Sequence, residues 1–269
     1  MFLKIEHHSS YQYSENVFPE PQHLYFHPLY RPHLKLIHHE LQIQPSPAGY
    51  GKRLDPENNT YTQCWFNETI EKLEVVLHMT METSVLNQFN YFREDNPKTA
   101  YQEALNLYLV PNLVLNNNIM EWVNEIESSE PSNFLSNLCL AINNRWSHSI
   151  SNEQELLSPN SCFEMNSGSC RDLSWMMIQM LRSKNYPARY VSGYSYNPDI
   201  IGHELHAWVE VWLPGAGWIG LDPSSGLFIT EYYIPMATSY HPTNTLPIQG
   251  TFRGNATADL NTMVNIRMA

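Results

Sequence analysis

A cysteine, a histidine and an aspartate occur along this 269-residue chain in the order that thiol acyl-transfer chemistry can use. Cys170 lies in Gly168-Ser169-Cys170-Arg171-Asp172 and leads into Leu173-Ser174-Trp175-Met176-Met177-Ile178-Gln179-Met180-Leu181. In that segment Leu173, Met176, Met177, Met180 and Leu181 recur at helical spacing, which predicts an amphipathic helix with one buried stripe. A thiol in the first turn of a helix is reactive, because unpaired N–H groups and the positive end of the dipole favour the thiolate. Arg171 adds positive charge, Asp172 complements the dipole, and Gly168 permits close backbone approach. Buried free cysteines are common and inert, which is the reading for Cys64, Cys139 and Cys162.

His206 heads the strand-like run His206-Ala207-Trp208-Val209-Glu210-Val211-Trp212, and Asp222 ends Gly217-Trp218-Ile219-Gly220-Leu221-Asp222-Pro223. Alternation puts His206, Trp208, Glu210 and Trp212 on one face. Whether Asp222 shares that face depends on the parity of the turn between the two runs. A four-residue loop would put His206 and Asp222 on opposite faces. A three-residue loop, 214–216, pairs Leu213 with Gly217 and sets Asp222 opposite Trp208, within about 7–8 Å of His206 on the same face. Gly215 and Gly217 make such an odd-length loop or a bulge easy, so the short loop is expected.

The rest of the chain must position these residues. Residues 1 to about 85 read as short β runs, among them Lys35–His38 and Leu73–Met79, punctuated by Pro19, Pro21, Pro28, Pro32, Pro45 and Pro47. A polar stretch ending in Asn96-Pro97 marks a boundary, after which the apolar period changes to about 3.6. Helices are predicted over 98–109, 117–128 and 132–146, the last with Ser132 as N-cap after Pro131, followed by a long connection over 144–167. Strands are predicted over 188–196, 205–213, 217–222 and 262–268. Two domains follow: a β-rich one over 1–90 and a second over 91–269.

Composition bounds the function. Acidic residues outnumber basic ones 27 to 15, a net charge of -12, which argues against nucleic acid or an anionic membrane as partner. Four scattered cysteines do not make a disulfide framework. The start of the chain carries early charge and no signal-like apolar run, and no stretch reaches about 18 consecutive apolar residues, so a cytoplasmic protein is expected.

The segments around Cys170, together with Pro187-Ala188-Arg189-Tyr190-Val191-Ser192-Gly193-Tyr194, His206–Val211 and Gly217–Pro223, resemble the transglutaminase-like superfamily. More closely, the chain is similar to bacterial transglutaminase-like proteins often described as candidate cysteine proteases, whose amino-terminal β domain its His-rich, Pro-punctuated start resembles. The resemblance implies an α+β fold: a papain-like core with a nucleophile helix packed on an antiparallel β-sheet, preceded by a small β domain. It implies Cys170 as nucleophile, His206 as base and Asp222 as orienting acid, acting on a peptide or protein carboxamide through a thioester. Where family members tend to continue Gly-Arg-Asp-Tyr, this chain has Ser239-Tyr240-His241-Pro242, a departure outside the triad that bears on substrate details.

The leading expectation is a cysteine protease or amidase, with a protein-crosslinking or small-amine transglutaminase as its alternative and a non-catalytic partner-binding module as the rival from another class. Ser169, Trp208 and Trp218 are candidate cleft-lining residues, and Arg189 a candidate ion-pair partner of the helix bearing Asp172. The Cys170 backbone N–H would supply one oxyanion donor; the second is not located by sequence. His203-x-x-His206 with Cys170 or Cys162 has zinc-ligand types, but a strand sends i and i+3 to opposite faces. No cofactor or metal is expected, since no acidic loop has the spacing of a known calcium site.

Overall fold

Alternation of apolar and polar residues makes the first residues a strand: Leu3, Ile5, His7 and Ser9 are buried while Phe2, Lys4 and Glu6 are exposed. In the computed structural model, which describes all residues except 95–98, 127, 129, 149–154 and 200–202, six strands come first. They are β1 (Phe2–Pro19), β2 (Gln22–Leu24), β3 (Leu34–Gln44), β4 (Gly49–Leu54), β5 (Thr60–Trp65) and β6 (Ile70–Thr83). The helical block contains α1 (Thr99–Leu109), α2 (Asn117–Glu125), α3 (Pro131–Arg145), β7 (Ser147–His148), α4 (Pro159–Met165), β8 (Ser167–Gly168) and α5 (Cys170–Ser183). Strands then return as β9 (Ala188–Ser195), β10 (Leu205–Leu213), β11 (Gly217–Asp222), β12 (Leu227–Phe228), β13 (Tyr233–Ser239), β14 (Ile248–Gln249), β15 (Phe252–Arg253) and β16 (Ala258–Met268).

The fold is α+β, with one core between the helices and the third sheet and another shared by the first two sheets. In the first sheet β6 lies between β1 and β3, and β15 and β16 both pair with β1. A second sheet runs β14-β2-β5-β4, and the third, which carries the chemistry, runs β12-β11-β10-β9-β13, all antiparallel. The carboxyl-terminal strand, expected to close the second domain, instead pairs with β1 from Leu3–Met268 to Tyr13–Ala258, so both ends of the chain build the first sheet. Among the described residues no helix is long and apolar enough to cross a membrane.

Helix α5 departs from the expected single stripe, because every residue from Asp172 to Arg182 is buried. Sheet strands β9 and β10 cover one side, and α1, α2, α3 and α4 the other. Most of its buried polar atoms are satisfied by partners distant in sequence, Gln179 Nε2 being an exception. Ser174 donates to Ala207 O (3.2 Å), Gln179 Oε1 accepts from Asn112 N–H (2.9 Å), and Arg182 donates to Ala188 O (2.8 Å) and Tyr240 O (2.7 Å).

Other boundaries shift for local reasons. Glu130, not Ser132, caps α3, since Pro131 fills the first helical position, where its missing N–H costs nothing. Helix α2 ends at Glu125, short of the predicted 128. The 144–167 connection is not structureless: α3 runs to Arg145, and α4 starts from the Ser158 cap with Pro159 behind it. The Asn96-Pro97 boundary signal lies outside the described residues.

The amino-terminal module packs against the β9–β13 side of the third sheet. Tyr194, Ile234 and Met236 belong to the core formed by Leu3, Ile5, Phe26 and the β6 side chains. His7 Nδ1 and the Tyr194 hydroxyl share a hydrogen bond (2.8 Å), and Asn59 pairs its amide with the backbone N–H and carbonyl of Thr238 (2.8 Å each).

Candidate active site

Three elements converge on the thiol of Cys170. Helix α5 delivers it: Ser169 is the N-cap, and a capping box ties the Ser169 backbone N–H (2.9 Å) and hydroxyl (2.6 Å) to Asp172 Oδ2. Asp172 Oδ1 also accepts from Leu157 N–H (2.8 Å), fixing the helix start to the preceding loop. Ser169 is therefore a structural cap rather than a cleft wall. Gly168 is packed tightly, since a Cβ there would lie 3.0 Å from Cys162 Sγ and 3.1 Å from Asp172 Cβ.

The hairpin β10–β11 delivers His206 and Asp222. Leu213 pairs with Gly217 and Val209 with Leu221, the register of the three-residue loop, with Gly215 at φ 87° and Gly217 at φ 76°. His206 and Asp222 thus share a face, and the imidazole Nε2–H donates to Asp222 Oδ2 at 2.7 Å. Sequence reasoning missed the rest of the Asp222 shell. Ser224 donates its hydroxyl (2.6 Å) and N–H (2.9 Å) to Oδ1, and the Tyr233 hydroxyl donates to Oδ2 (2.8 Å). A buried carboxylate with four donors stays ionised: burial alone would raise its pKa, but His206, Ser224 and Tyr233 hold it at about 2.

The same electrostatics reach the sulfur. Burial opposes ionisation of Cys170, yet hydrogen bonds from His148 and His206, the His206 charge and the Ala207 backbone N–H outweigh it and pull the thiol down to about 6. Burial favours neutral His206, but the Asp222 charge and hydrogen bond, and then Cys170, hold it well above its ordinary value. The stable arrangement is a thiolate beside an imidazolium, with Nε2 of that ring committed to Asp222. At the other three thiols burial prevails: it pushes Cys64 up to about 11, Cys162 up to about 12, and Cys139 higher.

His148 is the residue that sequence reasoning did not find. It lies in the segment read as a connection, has no periodic context, and reaches the thiol only through the pairing of β7 with β8.

The aromatic candidates divide. Trp208 is fully buried beside His206, its ring 6.3 Å from the imidazole at 27° and edge-on to Tyr233 at 5.4 Å, so it forms a packed floor rather than an open wall. Trp218 is not at the site. It stands four residues, about 13 Å, along β11 from Asp222 and packs on Tyr108, Trp212 and the Arg189 guanidinium. Arg189 pairs not with the helix but with Glu210, which also receives Arg31 (2.8 Å) from the amino-terminal module. His203 stacks on Tyr196 and meets β16 at Val264 and Ile266, separate from the thiol.

A cysteine heading a buried helix beside a His–Asp pair on an antiparallel sheet is a papain-like framework. Residues 120–223 match the transglutaminase-like superfamily core and residues 3–82 the bacterial transglutaminase-like N-terminal region, and by these matches the chain belongs to the transglutaminase-like superfamily. A solved structure from Cytophaga hutchinsonii, described as a candidate cysteine protease, shares the fold: TM-score 0.76 over 99% of this chain and 90% of that one, at 18% identity. A Mycobacterium leprae protein is 33% identical over 105 residues, 37% of each chain. A protein-glutamine gamma-glutamyltransferase of Pseudomonas aeruginosa is 39% identical over 70 residues, 23% of this chain and 10% of that one. The matched region thus spans only about a third and a tenth of these two relatives.

Proposed function

We propose that the chain is a thiol-dependent acyl-transfer enzyme acting on peptide or protein carboxamides, with Cys170 as nucleophile, His206 as proton carrier and Asp222 as its orienting acid. The observation that carries this reading is the His206–Asp222 hydrogen bond of 2.7 Å with the free side of the ring against a thiol pulled down to about 6. The thiolate attacks the carbonyl carbon, forming an S–C bond as the C=O π pair moves to oxygen. Collapse breaks the C–N bond, and the imidazolium gives its proton to the departing nitrogen, leaving a thioester. His206, now neutral, takes a proton from an incoming water or amine, and Cys170 leaves as the thiolate. Asp222 holds the tautomer and offsets the imidazolium charge throughout.

Hydrolysis is the favoured fate of the thioester. The similarity to a gamma-glutamyltransferase supports the alternative, transfer to an amine. A library of peptides bearing glutamine and ordinary peptide bonds, incubated with a labelled primary amine and read by mass spectrometry, separates the two. Cleaved or deamidated products that vanish in Cys170→Ala support a hydrolase, and amine-labelled glutamine supports a transferase. Unmodified peptides in every case, with a Cys170 no more reactive than Cys139, would leave the partner-binding reading instead.

A further inference from the structure

Two imidazoles meet the sulfur of Cys170, and they are not equivalent. His206 has Nε2 tied to a buried carboxylate at 2.7 Å, which fixes one tautomer and makes it the proton carrier. For His148 the hydrogen bond to Cys170 is the largest influence, and Asp222 and His206 act on it only as more distant charges.

The placement of His148 is built into the fold. Trp146 is buried and donates its Nε1–H to Cys162 O (2.9 Å), with the Arg145 guanidinium over its ring. Ser147 N–H then donates to Asn166 O (3.1 Å), and His148 pairs in register with Gly168, two residues ahead of the thiol. The ring therefore approaches the sulfur from the β8 side, where the helix begins and the Cys170 N–H lies among the donors that have no helical acceptor.

We propose that the His148 imidazole is the second donor of the oxyanion site, acting with the Cys170 backbone N–H. The assignment rests on the acyl-transfer reading above. In the resting state the His148 N–H donates to the thiolate. As the S–C bond forms, sulfur loses its negative charge and ceases to be a good acceptor, while the displaced π pair puts that charge on an oxygen one bond from the attacked carbon. A donor already aimed at the sulfur then has its acceptor replaced by a nearby oxyanion, so its interaction is stronger in the transition state than before it. His148 keeps its proton throughout; the proton that leaves with the amine is the one on His206.

The test compares two reactions of Cys170 in wild type, His148→Ala and His148→Gln. Acylation by p-nitrophenyl acetate builds an oxyanion, whereas alkylation by iodoacetamide at a CH2 carbon does not. At pH 9, the acylation burst of His148→Ala should fall on the order of 100-fold, while alkylation stays within about threefold, because a thiol raised by loss of the His148 hydrogen bond has a smaller thiolate fraction but a more nucleophilic thiolate. His148→Gln, which restores a neutral N–H donor of similar reach, should recover acylation to within about tenfold of wild type. Loss of both reactions together, acylation indifferent to His148→Ala, or no recovery in His148→Gln overturns the assignment. Failure of the parent reading looks different: a wild-type thiol whose alkylation has the inflection of an ordinary cysteine, about 8.5–9.

Discussion

Replacing His206 with alanine removes the group that most directly couples Asp222 to the thiol, and the consequence can be worked out over the whole pH range. In the wild type the thiol is held at about 6 against an ordinary value of 9.0, a difference worth about 4 kcal/mol in favour of the thiolate. Without His206, burial is opposed only by His148 and the Ala207 N–H, and the thiol should rise; a full return to its ordinary value of 9.0 sets the limiting case. Near pH 5 the thiolate fraction then falls about 900-fold, but a thiolate of higher pKa is intrinsically more nucleophilic, by about 15–30-fold for a Brønsted slope of about 0.4–0.5. The net loss in iodoacetamide alkylation is therefore about 30–60-fold near pH 5 and only about 3–6-fold at pH 7, with the mutant overtaking the wild type above about pH 8. Peptide mass spectrometry of Cys170 from pH 4 to 10, with buried Cys139 as internal control, reads this crossing directly. Parallel profiles in the two proteins, with one shared inflection near that of a free cysteine, would refute the ion pair and with it the electrostatic account of the site.

Asp222→Asn keeps the shape of the site but removes the charge that holds His206 protonated and in one tautomer; turnover should fall on the order of 10²–10⁴-fold with the fold intact by circular dichroism. Glu210, buried between Arg31 and Arg189 and held at about 2 by them against the burial that would raise it, should cost roughly 3–5 kcal/mol in urea unfolding when changed to Gln. Because its folded pKa is depressed, its contribution is complete above the ordinary carboxylate value and is lost as pH falls toward 2, so the wild-type and mutant stabilities should converge over that interval. Gly168→Ala forces a Cβ to 3.0 Å from Cys162 Sγ and 3.1 Å from Asp172 Cβ, displacing the head of α5; acylation should drop at least about tenfold while the melting temperature moves little.

The site was legible where geometry is local. Loop parity is a property of Pro214 to Gly217, and it determined that His206 and Asp222 share a face, as the Leu213–Gly217 pairing bears out. Cys170 stands at the helix start that its segment predicts, and Asp172, legible in sequence as a dipole effect, also closes the capping box that makes that start rigid. His148 was not legible, because a two-residue strand leaves no periodicity and its contact depends on Trp146 being buried under α4. Trp218 differs for the opposite reason: its place in the Asp222 strand suggests proximity, whereas four residues of strand carry its side chain away to Tyr108, Trp212 and Arg189. The single apolar stripe leaves the polar residues of α5 outside the predicted core, and their burial rests on partners far apart in sequence, among them the carbonyls of Ala188, Ala207 and Tyr240 and the groups of Asn112.

Cys170 and His206 are held from different directions. Cys170 is fixed through α5, whose apolar side chains share a core with Ala207, Val209 and Val211 on one face of β10 and with Ile219 and Leu221 of β11. His206 projects with Trp208 and Glu210 from the other face, and there the bracing comes from Ile229 and Tyr233 and, through Arg31, from the amino-terminal module. A buried carboxylate bound by two guanidiniums is a costly anchor in free energy, since desolvation of three charges offsets much of their attraction. It does, however, tie a strand of the third sheet to a loop from the first module by a directional contact that apolar packing cannot supply. The amino-terminal module is thereby more than an appendage. It shares a core with β9 and β13, grips Thr238 through Asn59, and reaches the histidine-bearing face of β10 through Arg31.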